Sequence, residues 1–215
     1  MYTLFTLPWA PAIFQGQVRD LPVRWALEEI GASYQVELVD DAQRQSPAFL
    51  AKQPFGKVPV LQEGDLHLFE SGAIVQHLAE NSWLMPAEPQ ARAQVRAWMF
   101  AAANTLDPDI IALGDIDHFA ADQSWAQVRR PEVERCLFGR LNQLARALET
   151  REFLAGTFSA ADILMVATLR GLRHTDLVSR IAPLRDYRDR CEARQPFQRA
   201  LSAQLETFAR HARVA

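Results

Sequence analysis

The segment FGKVPVLQEGDLHLFESGAIVQHLAE, residues 55–80, constrains the fold more than any other part of this chain. Residues 58–61 and 66–69 read as two short apolar strands, and Gln62, Glu63, Gly64 and Asp65 between them are the residue types of a tight hairpin turn. From Ser71 the spacing changes: Ala73, Ile74, Leu78 and Ala79 recur at helical intervals and predict a helix with one side toward a core. Pro59 heads the first strand, where a proline cannot donate to the ladder. Glu70 and Ser71 set an acid and a hydroxyl where strand gives way to helix, beside N–H groups that no helical carbonyl reaches. Taken singly, Pro59 reads as the mark of a strand edge and Ser71 as a helix cap.

The remainder of the chain divides by pattern. Residues 2–6 form a first apolar strand, followed by the long loop LPWAPAIFQGQ. A helix is predicted from Val18, with Leu21, Trp25, Leu27 and Ile30 on its buried side and Gly31 at its end. Tyr34, Val36 and Leu38 alternate as a second strand, and Ser46 with Pro47 opens a short helix. These elements and the hairpin make a βαβαββα unit over residues 1–81. Residues 82–90, with Pro86 and Pro89, are a linker by composition. Beyond them strand signals vanish. A helix is predicted over 91–106, interrupted near Asp107 and Pro108, then another over 125–150 and two more after residue 180, so that 90–215 is an all-helical domain. Ser159 with Asp162 three residues on, and Phe158 before it, forms a capping box ahead of an apolar helix; both residues are structural on this reading.

Composition narrows the function classes. With 215 residues, 49% hydrophobic and 23% charged, the chain is of ordinary globular make-up. No apolar run approaches the ~18 residues that would cross a membrane, and the start has no basic and apolar leader pattern. The net charge is −3 with the two signs interspersed, which argues against nucleic acid as partner. Cys136 and Cys191 are far apart and no CxxC occurs, which argues against a dithiol oxidoreductase and fits a reduced, cytoplasmic setting. The five histidines show no metal-ligand spacing, so no metal is expected.

With its proline-headed strand, its hairpin and Glu70-Ser71 at a helix start, the chain resembles the cytosolic glutathione S-transferase family, and FGKVPVL and ESGAI are close to that family's wording. The resemblance covers the whole chain, since the family also carries the capping motif at Ser159. It implies a thioredoxin-like N-terminal domain followed by an all-helical domain, α/β plus all-α. It also implies a cis Val58-Pro59 bond, a state that proline permits for about 0.5–1 kcal/mol. The backbone of Val58 would then pair with the cysteinyl unit of glutathione as an added strand does. Ser71 and the helix start would take the γ-glutamyl carboxylate, and Glu70 the ammonium. Pro59, Gln53 and Lys57 complete the glutathione set that the resemblance implies. The electrophile would meet Trp9, Trp98 and Asn104, with the alternative that Trp98 is a core aromatic. Homodimers are the family's usual state.

One departure matters. Most members stabilise the thiolate with a Tyr, Ser or Cys after the first strand, and residues 7–32 contain none. Lowering a thiol by about two units takes roughly 2.7 kcal/mol. Thr6 and Gln17 are the expected donors, with Gln15 and the amides near Val18 as alternatives. The expected function is conjugation of glutathione, as substrate, to a small apolar electrophile. The alternatives are glutathione-dependent reduction, isomerisation or peroxide removal, or a non-catalytic binding or interaction protein.

Overall fold

A computed structural model of the protein describes residues 1–211. In chain order its elements are β1 (Tyr2–Thr6), α1 (Leu21–Glu29), β2 (Tyr34–Leu38), α2 (Asp41–Arg44), α3 (Pro47–Leu50), β3 (Val60–Glu63), β4 (Leu66–Phe69) and α4 (Ser71–Glu80). There follow α5 (Pro89–Phe100), a π-helical segment (Ala101–Leu106), α6 (Asp107–Phe119), α7 (Ser124–Leu148), α8 (Ala160–Leu169), a 3₁₀ turn (Arg170–Leu172), α9 (Ala182–Glu192) and α10 (Gln195–Arg210). The strands form one sheet in the order β2-β1-β3-β4, with β1 parallel to β2 and antiparallel to β3. This is the thioredoxin-like sheet that the sequence predicts, followed by the predicted helices.

The division into units differs from the expected 1–81 and 90–215. Contacts group Met1–Leu84 with the C-terminal helix from Arg194, and set Met85–Ala193 apart as the second unit. The reason lies in α10, whose stripe of Phe197, Ala200, Gln204 and Phe208 is buried. Trp25 of α1 meets Phe197 edge-on, with ring centroids 4.8 Å apart, and both side chains are closed to solvent. Two enclosed aromatics of this size each contribute about 1.5–3 kcal/mol, which is more than helix propensity alone can direct.

Within the first unit, Phe5, Val39, Phe49 and Val60 make the core of the sheet layer. Helix α1 starts at Leu21 rather than Val18, because residues up to Asp20 are still in tight turns. It stops where Gly31 takes φ +66°, which lets Ala32 N–H bond Leu27 C=O at 2.9 Å, a closure that favours glycine. An extra one-turn helix, α2, lies where the sequence reading had none. Asp40 and Gln43 cap it reciprocally, Asp40 Oδ1 accepting from Gln43 N–H at 2.7 Å and Gln43 Oε1 from Asp40 N–H at 2.8 Å.

In the second unit the predicted helix over 91–106 changes to π form from Ala101. Pro108 has no N–H to offer Asn104 C=O, and an α-helical course would drive its ring into that carbonyl, which accounts for the wider turn before α6. Helix α7 runs through Pro131 at an exposed position, where water can meet the carbonyl the proline leaves unbonded. No helix among the described residues is long and apolar enough to cross a membrane.

Candidate functional site

Register brings three segments to one end of the sheet. Phe5 lies opposite Val60, and Val60 opposite Phe69. The residues that follow these pairs in sequence are Thr6 and Leu7 after β1, Pro59 and Val58 before β3, and Glu70 and Ser71 after β4. The end of β1, the head of β3 and the start of α4 therefore adjoin, with the loop after β1 beside them. The Val58-Pro59 peptide is cis. Pro59 is buried and Val58 half-buried, and since β3 begins at Val60, the backbone N–H and C=O of Val58 lie outside the ladder.

Glu70 is the only described residue other than glycine with positive φ, at φ +65° and ψ 116°. Such a conformation costs about 1–3 kcal/mol and persists where the surroundings demand it. It turns the chain so that α4 begins at Ser71 itself. Ser71 is therefore the first helical residue and not the cap, and the Glu70 side chain makes no cap hydrogen bond. Ile74 N–H bonds Glu70 C=O at 2.9 Å, whereas the N–H groups before it have no helical carbonyl to meet. With Ser71 half-buried and Glu70 exposed, this ten-residue helix presents N–H dipoles, a hydroxyl and a carboxylate at the same sheet end as Val58.

The loop ahead of β3 is held by its own polar groups. Gln53 is 2% exposed, and its Oε1 accepts from Phe55 N–H at 2.6 Å, so the Gln53 carbonyl shapes the loop. Arg44 Nη1 donates to Gly56 C=O at 2.7 Å. Gly56 takes φ +61°, and a Cβ there would stand 3.1 Å from Arg44 C=O, so only glycine lets the two segments approach so closely. Lys57 is exposed beside Val58.

The two expected sulfur donors are placed differently. Thr6 is fully buried, and its hydroxyl has no hydrogen-bond partner among the described residues. An oxygen sealed in this way is not open to a ligand in this structure, unlike the placement expected for Thr6. Gln17 stays half-buried in the loop, but its amide nitrogen donates to Ile13 C=O at 2.6 Å. Gln15 likewise donates to Ala10 C=O at 2.9 Å. Both glutamines wind the loop on itself. Trp9 is half-buried in the same loop.

A buried polar chain that sequence reading missed anchors this loop. Gln204 of α10, wholly buried, accepts from Gly16 N–H at 2.9 Å and donates to Val18 C=O at 3.2 Å and Asp20 Oδ1 at 2.5 Å. Asp20 Oδ2 in turn takes Arg24 Nε at 2.6 Å. A signal existed: Gln204 is the one polar residue in a stripe otherwise made of Phe197, Ala200 and Phe208.

In the second unit, Trp98 is half-buried on α5 and Asn104 is exposed on the π-helical segment. Asp162 accepts from Ser159 N–H at 2.9 Å, Leu154 N–H at 3.0 Å and the Tyr187 hydroxyl at 2.9 Å. Burial pushes its carboxyl above the ordinary value, against the pull of those donors. Ser159 and Asp162 thus act on the end of α8. Among the described residues no group of three His, Cys, Asp or Glu side chains is arranged to hold a metal.

Residues 13–80 match the family model for the glutathione S-transferase N-terminal domain. The chain is 36% identical over 152 residues to glutathione S-transferase F10 of Arabidopsis thaliana, a match covering 64% of this chain and 68% of that protein. It is 34% identical over 176 residues to elongation factor 1-gamma of Carassius auratus, covering 78% of this chain and 37% of that protein. Among solved structures, a glutathione transferase from Burkholderia graminis with two glutathione molecules bound per subunit aligns with a TM-score of 0.82 at 25% identity, covering 94% of this chain and 88% of that one.

Proposed function

Since this chain belongs to the glutathione S-transferase family, we propose that it binds glutathione at the β1–β3–β4 sheet end and transfers the glutathione sulfur to a small apolar electrophile. The observation that carries this reading is the junction at Glu70. A non-glycine residue is held at φ +65° so that an uncapped helix start faces the same end of the sheet as the unladdered backbone of Val58. An acidic peptide terminus fits the first, and an extended peptide backbone fits the second.

In this reading Val58 pairs with the cysteinyl backbone, Ser71 and the α4 N–H groups take the γ-glutamyl carboxylate, and Glu70 takes the ammonium. Pro59 shapes the edge, while Gln53 and Lys57 flank it. The sulfur then lies toward the loop after β1. With Thr6 sealed and no Tyr, Ser or Cys in residues 7–32, backbone N–H groups of that loop are the donors that favour thiolate. The thiolate attacks the electrophilic carbon, a C–S bond forms, and the displaced group leaves with the electron pair of its bond. Trp9, in the same loop, is assigned to the electrophile. We extend the reading to a cytoplasmic homodimer acting on reactive small molecules.

A binding role without turnover is the second reading. The likeness to elongation factor 1-gamma and the missing side-chain thiol activator favour it. Melting the protein with millimolar glutathione, and assaying conjugation of a chloronitroarene, separates the two. A ligand at 100 times its dissociation constant adds about 2.7 kcal/mol. A raised melting temperature with conjugation supports transfer; a raised one without conjugation supports binding alone; no rise refutes both.

A further inference from the structure

Gln204 lies 188 residues from Gly16 in sequence, yet its side chain uses both ends on one short stretch of backbone. The oxygen takes Gly16 N–H, and the nitrogen gives one hydrogen to Val18 C=O and the other to Asp20 Oδ1. Every polar valence directed at the stretch is filled, and the residue is wholly buried. The stretch joins the loop after β1 to α1, and Gly16 enters it at φ +78°. Asp20 is also wholly buried and is tied onward to Arg24, which is 1% exposed.

We propose that Gln204 is a positioning residue for the thiol: from the C-terminal helix it fixes the backbone between Gly16 and Asp20, and with it the direction of the loop N–H groups that a bound glutathione sulfur meets. This rests on the proposed glutathione site. The reason is particular to this chain. A hydroxyl side chain can turn about χ1 to find a sulfur, but a backbone N–H points wherever the loop points. A chain without Tyr, Ser or Cys after its first strand therefore depends on whatever sets the pose of that loop. Gln17 and Gln15 bond within the loop and give it shape. Gln204 bonds it to the rest of the first unit.

The test uses the full chain with Gln204→Met, which keeps the volume and removes all three hydrogen bonds, beside Phe208→Leu, which loosens α10 without touching them. Three quantities are read: binding of S-methylglutathione, the pKa of bound glutathione from thiolate absorbance, and amide exchange of residues 7–20. In Gln204→Met, exchange in the loop should quicken about tenfold and the thiol pKa should rise by about one unit, while S-methylglutathione binds within about twofold of wild type. Phe208→Leu, at a comparable loss of stability, should leave the thiol pKa where it was. An unchanged thiol pKa in Gln204→Met, or an equal rise in Phe208→Leu, overturns the assignment. A wild type that binds no S-methylglutathione refutes the glutathione site, and this inference with it. That result involves no change at position 204, so the two failures are told apart.

Discussion

Arg194 lays its guanidinium along the Glu29 carboxylate, Nε to Oε1 at 2.6 Å and Nη2 to Oε2 at 2.8 Å. The Glu29 side chain is 2% exposed and takes a third hydrogen bond from Trp25 Nε1 at 2.9 Å. A carboxylate so enclosed is tolerable only while its partner stays. Arg194→Met should cost about 3 kcal/mol, the low end for stripping a buried pair of one member, since the arginine itself is partly in solvent. Adding Glu29→Gln should recover part of that loss, because the remaining charge is gone. Urea unfolding of the four proteins measures the coupling, and simple additivity would show that none exists.

Under the proposed glutathione site, Glu70 sets fold against binding. Glycine there would relieve the φ +65° backbone and, after its own extra entropy loss, should raise stability by about 1 kcal/mol. The same change removes the carboxylate assigned to the ligand's ammonium and should weaken S-methylglutathione binding about tenfold. Unfolding and calorimetry on Glu70→Gly should move in opposite directions.

Asp162 closes the start of α8 and also receives the Tyr187 hydroxyl at 2.9 Å. Tyr187→Phe should cost about 1–2 kcal/mol, and Asp162→Ala about 4, because two buried N–H groups lose their acceptor. Turnover per folded molecule should not fall in either, which activity normalised to the folded fraction checks.

Asp117 should contribute to the loss of stability in acid. Burial pushes its carboxyl up, but hydrogen bonds from Arg130 and His174 outweigh this and hold it below its ordinary 3.8. A carboxyl lowered on folding stabilises fully above that ordinary value and loses its contribution as pH falls through the lowered one. Asp117→Asn should therefore lower the melting temperature at neutral pH and flatten its decline below about pH 4. Melting curves from pH 2 to 7 read this out; a parallel decline in both proteins would exclude Asp117 as the source.

The sheet, its helices and the Glu70-Ser71 junction were legible because strand alternation, a proline and a helix start are local signals. Residues 2–6, 34–38 and 71–80 fall where periodicity alone sets them. The burial of Thr6 was not legible. Thr6 has the right chemistry at the right strand end, but whether a side chain at a strand terminus faces in or out depends on packing from both sides of the sheet, and here it is closed in. The grouping of α10 with the first unit was also hidden. An amphipathic helix announces that it has a buried face, while the surface it covers is chosen by shape: here Trp25 receives Phe197, and Gly16 receives Gln204.

That the first unit is assembled from both ends of the chain bears on its biosynthesis. A polypeptide leaving the ribosome in order would carry Trp25 with one flank bare until Phe197 emerged, while residues 85–193 could already close on themselves. The loop after β1 would be the last part of the molecule to settle, and nascent chains halted before residue 204 should be those that protease cuts between β1 and α1.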